Sequence, residues 1–208
     1  MSLDTFANLK IEIIDWSHRN DVDQKIDGFI SLVEKDMFKT TRLHEALQVR
    51  GQETTSTASV STKFFALPDQ YFAFRSIRLD MDTYSGRLTF KPSDGLFRRT
   101  GTGRPSYFTV GSQIEFDITP DQAYTVEVNY FKKPEPLSNT NTTNAVLTEH
   151  PDIYLNGALY YLFTYADDEA QANKYLQRYA EAINGANQAD DEGRYGPAPY
   201  ARIEGSTP

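Results

Sequence analysis

Residues able to do chemistry are few in this chain and widely spaced. His18, His44 and His150 are its only histidines. None belongs to a His-Glu-x-x-His pattern or has a partner at metal-ligand spacing, so each reads as a solvated or capping side chain. There is no cysteine, which excludes thiolate chemistry and a disulfide framework. No Gly-x-Ser-x-Gly elbow presents a serine, so a hydrolase triad has no support. Gly101-Thr102-Gly103 lacks the Gly-Lys-Ser/Thr ending of a phosphate loop and no helical pattern follows it, so it reads as a plain loop. The carboxylate pairs Asp80 with Asp82, Asp167 with Asp168 and Asp190 with Asp191 fall at strand ends, helix starts and the tail. Capping and solubility account for them there, and no buried site is evident to split their pKa values for glycosidase work. No catalytic residue, cofactor site or metal site is expected. What remains is a basic cluster, Arg98, Arg99 and Arg104, in an acidic chain. It reads either as a solvated β-loop or as a contact to an acidic partner surface or to passing DNA.

The composition narrows the setting. The chain has 208 residues, 39% hydrophobic and 24% charged, which suits one globular domain or one domain with an inserted subdomain. A formal net charge of −8 argues against a dedicated nucleic-acid binder, whose affinity would rest on clustered Lys and Arg. The N-terminal Met-Ser-Leu-Asp-Thr lacks the basic-then-apolar pattern of a signal peptide, which gives the expectation of a cytosolic product. Thirteen tyrosines are a hint of surfaces that become interfaces.

The elements that position these residues follow from hydrophobic period. Phe6, Leu9, Ile13 and Trp16 recur at helical spacing over 3–19, capped by Ser2 or Asp4. Ile26, Phe29, Ile30, Val33 and Met37 mark a longer helix over about 22–38, and Leu43, Ala46 and Leu47 extend it or form one short helix more. From Gln48 the period changes from 3.6 to 2. Strands are expected near 64–67, 71–79, with Phe72, Phe74, Ile77 and Leu79 alternating, and 88–90. A hairpin over 107–118 turns at Gly111-Ser112. A long strand over 123–131 carries Tyr124, Val126, Val128 and Tyr130 on one face. Ser138 to Asn144 is turn chemistry. A helix starting near His150, with Pro151 in its first turn, runs through Tyr165 with almost no polar stripe and is expected to be central and buried. Gly157 and Ala158 let another helix approach it. Asp167 or Asp168 then caps a last helix carrying Ala172, Tyr175, Leu176, Tyr179 and Ile183, with Gly185 as its stop. Beyond it the chain has prolines and glycines without period and three anchors, Tyr195, Tyr200 and Ile203. The fold class expected is α+β: a helical bundle of N-terminal (1–47) and C-terminal (137–187) helices, an inserted antiparallel β subdomain (48–136) and an extended C-terminal arm (188–208).

Several stretches together resemble a known family. Gly103-Arg104-Pro105-Ser106-Tyr107-Phe108-Thr109-Val110-Gly111 with Ile114-Glu115-Phe116, then Tyr124 to Pro134, Leu137-Ser138 and Thr143-Asn144, are similar to the head-to-tail adaptor (connector) proteins of tailed bacteriophages. The most specific run is His150-Pro151-Asp152-Ile153-Tyr154-Leu155-Asn156-Gly157-Ala158-Leu159. Trp16-x-x-Arg19-x-Asp21 and the Phe29-Ile30 helix add to the likeness, which reaches to about Ile183.

The resemblance implies a virion structural protein without enzymatic activity, assembled in the host cytoplasm and located in the neck of the particle. It implies a ring expected to be twelvefold, joining the portal protein to downstream tail proteins (nozzle, tail tube or fibre). DNA would pass through its channel without sequence-specific binding, and no membrane is involved. Residues 188–208 would clasp the portal through Tyr195, Tyr200 and Ile203, and the β insertion with Arg98, Arg99 and Arg104 would face the next tail protein or a neighbouring copy. Two alternatives stand beside this reading: a tail or neck completion protein that contacts only tail components, and a peptidoglycan-cleaving tail enzyme.

Overall fold

A computed structural model of the chain describes residues 3–81, 84–95 and 98–195. The chain forms two compact units, one from Met1–Gly51 with Pro134–Pro208 and the other from Gln52–Lys133. The class is α+β, with five α-helices and two β-sheets among the described residues.

The helical unit is built on its most apolar segment. Helix α1 spans Phe6–Ser17, α2 Ile26–Asp36, α3 Ala145–Glu149, α4 Pro151–Tyr165 and α5 Glu169–Tyr195. In α4, Ile153, Tyr154, Leu155, Gly157, Ala158, Leu159 and Leu162 are all buried, and each of the other four helices packs on it. Gly157 is required by the packing: a Cβ there would lie 2.8 Å from Val33 Cγ2 and 2.9 Å from Tyr179 Cε2. Thr5 caps α1 by accepting from the Asn8 N–H, in place of Ser2 or Asp4. Trp16 does not complete the inner face of α1 and is 46% exposed. Ser17, four residues beyond Ile13, takes the inner position because its hydroxyl donates to the Ile14 carbonyl and is thus satisfied when buried. Asn144 caps α3 by accepting from the Leu147 N–H, so one short helix stands ahead of the start expected near His150.

Two further expectations for the helical unit are corrected by the structure. Residues 38–49 neither extend α2 nor form another helix: they run as a non-helical strap. Gly185 does not stop α5, which starts behind the Asp168 carboxylate accepting from the Gln171 N–H and continues through Tyr195. Residues 188–195, expected to be extended, are therefore helical. Helix formers such as Ala186, Gln188 and Ala189 surround Gly185, and a single glycine costs an exposed helix only about 1 kcal/mol.

The β unit holds two four-stranded sheets. Strand β1 spans Glu53–Val60, β2 Phe64–Ala66, β3 Tyr71–Met81, β4 Tyr84–Arg87, β5 Thr89–Phe90, β6 Tyr107–Val110, β7 Gln113–Phe116 and β8 Tyr124–Lys132. One sheet has the order β1-β8-β3-β4 and is antiparallel throughout. The other has the order β2-β7-β6-β5, and its β5–β6 pair is parallel, so the unit is mixed and not purely antiparallel. The hairpin at Gly111-Ser112 forms as its sequence indicated. In β3 the apolar alternation changes parity between Phe74 and Ile77, and the register with β8 shifts between Phe74 and Ser76. A bulge of this kind adds one residue and so carries the following side chains to the other parity. Val60, Ile77, Leu79, Phe108, Ile114, Phe116, Tyr124, Val126 and Val128 form a core that shares no member with the helical one.

Candidate functional site

The expected partner-contact loop is pinned from beneath by acids. Arg98 makes a two-pronged pair with Glu115, Nε to Oε1 at 2.8 Å and Nη2 to Oε2 at 3.0 Å. Lys63 Nζ reaches the same carboxylate at 3.3 Å. These two cations hold the Glu115 carboxyl below the usual glutamate range, the hydrogen bond from Arg98 being the largest cause. Asp117 is wholly buried; its Oδ2 accepts from Arg99 Nε at 2.8 Å, and its Oδ1 accepts the N–H groups of Ser106 and Tyr107. Arg99 Nη2 donates to the Arg104 carbonyl, which closes the loop on itself. Glu115 and Asp117 lie two residues apart and serve adjacent arginines, as the paired strand geometry allows. The guanidinium charges of Arg98 and Arg99 are thus balanced within the chain, and what Arg98, Arg99 and Arg104 present outward is a ledge held by these pairs.

The second expected site lies at the end of α5, and there the structure shows a feature that sequence periodicity did not indicate. Asn184, Asn187 and Asp190 recur every three residues and read the backbone of the strap. Asn184 Nδ2 donates to the Leu43 carbonyl at 2.8 Å, and its Oδ1 accepts from the Glu45 N–H. Asn187 Oδ1 accepts from the Gln48 N–H at 2.9 Å, and its Nδ2 donates to the Ala46 carbonyl at 3.1 Å. Asp190 Oδ1 accepts from the Arg50 N–H at 2.9 Å and lies 3.6 Å from Arg50 Nε. An extended segment carries unpaired N–H and C=O groups that must find partners. Here the amides of a helix replace a neighbouring strand, and in return the strap supports α5 beyond Ala186. Of the anchors, Tyr195 is the last residue of α5, while Tyr200 and Ile203 lie outside the described residues.

The histidines carry no chemistry that converges. His18 is the left-handed C-cap of α1 with φ 53°, and His150 is the N-cap of α4. His44 is buried, with Nδ1 2.9 Å from the Glu45 carbonyl and its ring edge-on to Tyr179. That carbonyl can only accept, so Nδ1 carries the proton. Among the described residues no group of three His, Asp or Glu side chains could hold a metal ion. Asp168 caps a helix and Asp190 serves the strap, as helix-end and backbone roles demand.

Two further features escaped the sequence reading. Glu34 Oε1 accepts from the Leu137 N–H at 2.7 Å and from the Tyr154 hydroxyl at 3.3 Å, and Asn144 Nδ2 donates to that hydroxyl at 2.9 Å. Burial raises the Glu34 carboxyl above the usual glutamate range, partly offset by these two donors. The network ties α2 and α4 to the 137–144 turn. In the β unit, Phe74, Phe90 and Phe108 meet pairwise in tilted and edge-on contacts with centroids 4.7 to 5.6 Å apart, lining a cleft of about 350 Å³. The partners of Glu34 lie 103 and 120 residues away in the chain, and the three phenylalanines come from three separate strands, so neither feature leaves a local signal.

No helix among the described residues is long and apolar enough to cross a membrane. No curated protein matches the chain. The family model described as SU10 adaptor protein matches residues 4–202. That span takes in both helical flanks, the β unit and most of the segment after α5, and the chain accordingly belongs to the SU10 adaptor family, the structural head-to-tail adaptor proteins of bacteriophages.

Proposed function

We infer that the chain forms a ring beneath the portal, expected to be twelvefold, which joins the capsid to the tail and forms part of the channel for DNA. The observation that carries this reading is a family match reaching residue 202, so the tail segment is part of what the family shares. Residues 188–208 are the portal-clasping arm, with Tyr195, Tyr200 and Ile203 as anchors; α5, braced by the strap, aims its start. The ledge of Arg98, Arg99 and Arg104 contacts the next tail protein or a neighbouring copy through shape and side-chain stems more than through net charge. A chain of net charge −8 suits a channel, because repulsion of phosphate removes the salt-dependent non-specific binding that would slow DNA. Assembly takes place in the host cytoplasm, and the arms engage their portal sites together as the ring closes, so that many weak contacts add up.

The test is mass measurement of the chain alone and mixed with its portal, with photo-crosslinkers at positions 195 and 200. A monomer alone, a ring in the mixture and crosslinks to portal are expected. A ring whose crosslinks go only to tail proteins would replace this reading with a tail completion protein.

A further inference from the structure

The four sheet edges of the β unit are not managed alike. Strand β2 has three residues and follows Lys63, and β5 has two residues and precedes Lys91-Pro92. Short length, lysine and proline are the usual devices that stop an edge from recruiting another strand. Strand β1 has none of them. It pairs with β8 in eight consecutive positions without a register shift, and Thr54 to Val60 contain no charge, proline or glycine. Alternate residues of such a strand turn their N–H and C=O groups away from the partner strand. Among the described residues no further strand receives them.

We propose that β4 of a second copy of this chain adds to the β1 edge, so that the all-antiparallel sheet continues from one subunit to the next. This rests on the ring reading above and names the contact that closes it. Two observations select β4 as the occupant. With four antiparallel strands, β1 and β4 run in opposite directions, so placing β4 of one copy beside β1 of another keeps the antiparallel alternation. The contact is head-to-tail, the kind that generates a closed ring. The second observation is charge. One row across the sheet reads Thr57, Glu127, Arg78, Arg87 in successive strands. The half of the row nearer β1 is acidic through Glu127 and the half nearer β4 is basic, with Arg78 and Arg87 directly opposed and both exposed, and Arg87 Nη2 donating to the neutral Arg75 carbonyl. A β4 strand docked on β1 brings Arg87 past the small Thr57 towards Glu127. Two β1 edges docked on each other would set Glu127 against Glu127.

The absence of native cysteine makes the test direct. Strand neighbours come within disulfide range, so Arg87→Cys is combined in one chain with Thr55→Cys, Thr57→Cys or Ser59→Cys, the three exposed positions that bracket the register. After mild oxidation of the portal-bound ring, at least one double variant gives a denaturing-gel ladder that extends past the dimer, while each single variant gives none. Amide exchange of alternate β1 residues in the native chain slows when the ring forms. A ring confirmed by mass with no ladder from any pair and no change in β1 exchange overturns the proposal and leaves the ring intact. Dimers from Thr57→Cys alone overturn it in favour of a two-fold edge contact. No ring on the portal at all defeats the ring reading and this contact with it, and the mass separates that case from the others.

Discussion

Two glycines in the helical unit show how far one substitution depends on its surroundings. Gly157 and Gly185 both sit inside helices, and alanine raises intrinsic helix propensity at either by about 1 kcal/mol. At Gly185 a Cβ meets nothing within 4 Å, so Gly185→Ala is expected to stabilise the chain by about 0.5–1 kcal/mol. At Gly157 the new carbon falls against Val33, whose β-branched side chain has one favoured rotamer in a helix and cannot turn aside. Gly157→Ala is expected to cost a net 1–3 kcal/mol or about that, the usual range for overpacking, and Val33→Ala should restore part of it. Urea unfolding of the two variants should show midpoint shifts of opposite sign. Glu34 provides a pH prediction. Its carboxyl titrates above its unfolded value, so the folded chain binds more protons than the unfolded one across that interval. Its contribution is therefore complete below the ordinary glutamate pKa and is lost as pH rises through the folded one. Glu34→Gln keeps an acceptor for the Leu137 N–H and the Tyr154 hydroxyl without the charge. The stability of Glu34→Gln relative to the native chain should rise with pH over that interval and then level off. A variant less stable than the native chain at pH 7 would show that the carboxylate's stronger hydrogen bonds outweigh its desolvation.

Among elements, the ladder of Asn184, Asn187 and Asp190 couples the strap to α5. Asn187→Ala leaves the Gln48 N–H and the Ala46 carbonyl without their partner. Water can replace it in part, so a loss of about 1–2 kcal/mol is expected. The local effect is more diagnostic: amide exchange should rise together in residues 43–50 and 184–195 and remain unchanged in α1. How legible these elements were follows from the same physics. Helices α1, α2 and α4 and strands β6, β7 and β8 carry their own period, since each buries one face or all of itself, and Phe29, Ile114 or Val126 announce it. The strap does not, because Leu43, Ala46 and Leu47 mimic helical spacing while the carbonyls of Leu43 and Ala46 are claimed by side chains 141 residues away and the Leu47 N–H donates to the Met37 carbonyl. The end of α5 was hidden for the same reason, with Gly185 reading as a stop when no tertiary support was visible. Strand β4 has a short polar run through Gly86 and owes its form to β3. In the candidate loop the arginines were visible as a cluster, but the acids that neutralise two of them lie on β7 and just beyond it, and only pairing of the chain brings them beneath.

For the whole molecule, the proposed ring makes function depend on the number of copies more than on any one contact. In the proposed ring a single arm offers the portal only a short segment beyond the braced helix α5, and one such contact is expected to be weak. The proposed ring would present every arm at once, and each arm that docks would raise the local concentration of the rest, so avidity can exceed single-site affinity by about 10²–10⁴. A peptide of residues 188–208 is therefore expected to bind portal weakly, while ring assembly rises steeply over a narrow range of chain concentration. Lowering the number of competent arms should weaken assembly far more than in proportion. The check is a titration of portal with mixtures of native chain and a chain lacking residues 196–208, followed by mass measurement. If binding falls in simple proportion to the native fraction, each subunit is held independently and cooperative ring closure is wrong. A steep loss at a modest fraction of shortened chains identifies the arms as elements that act together.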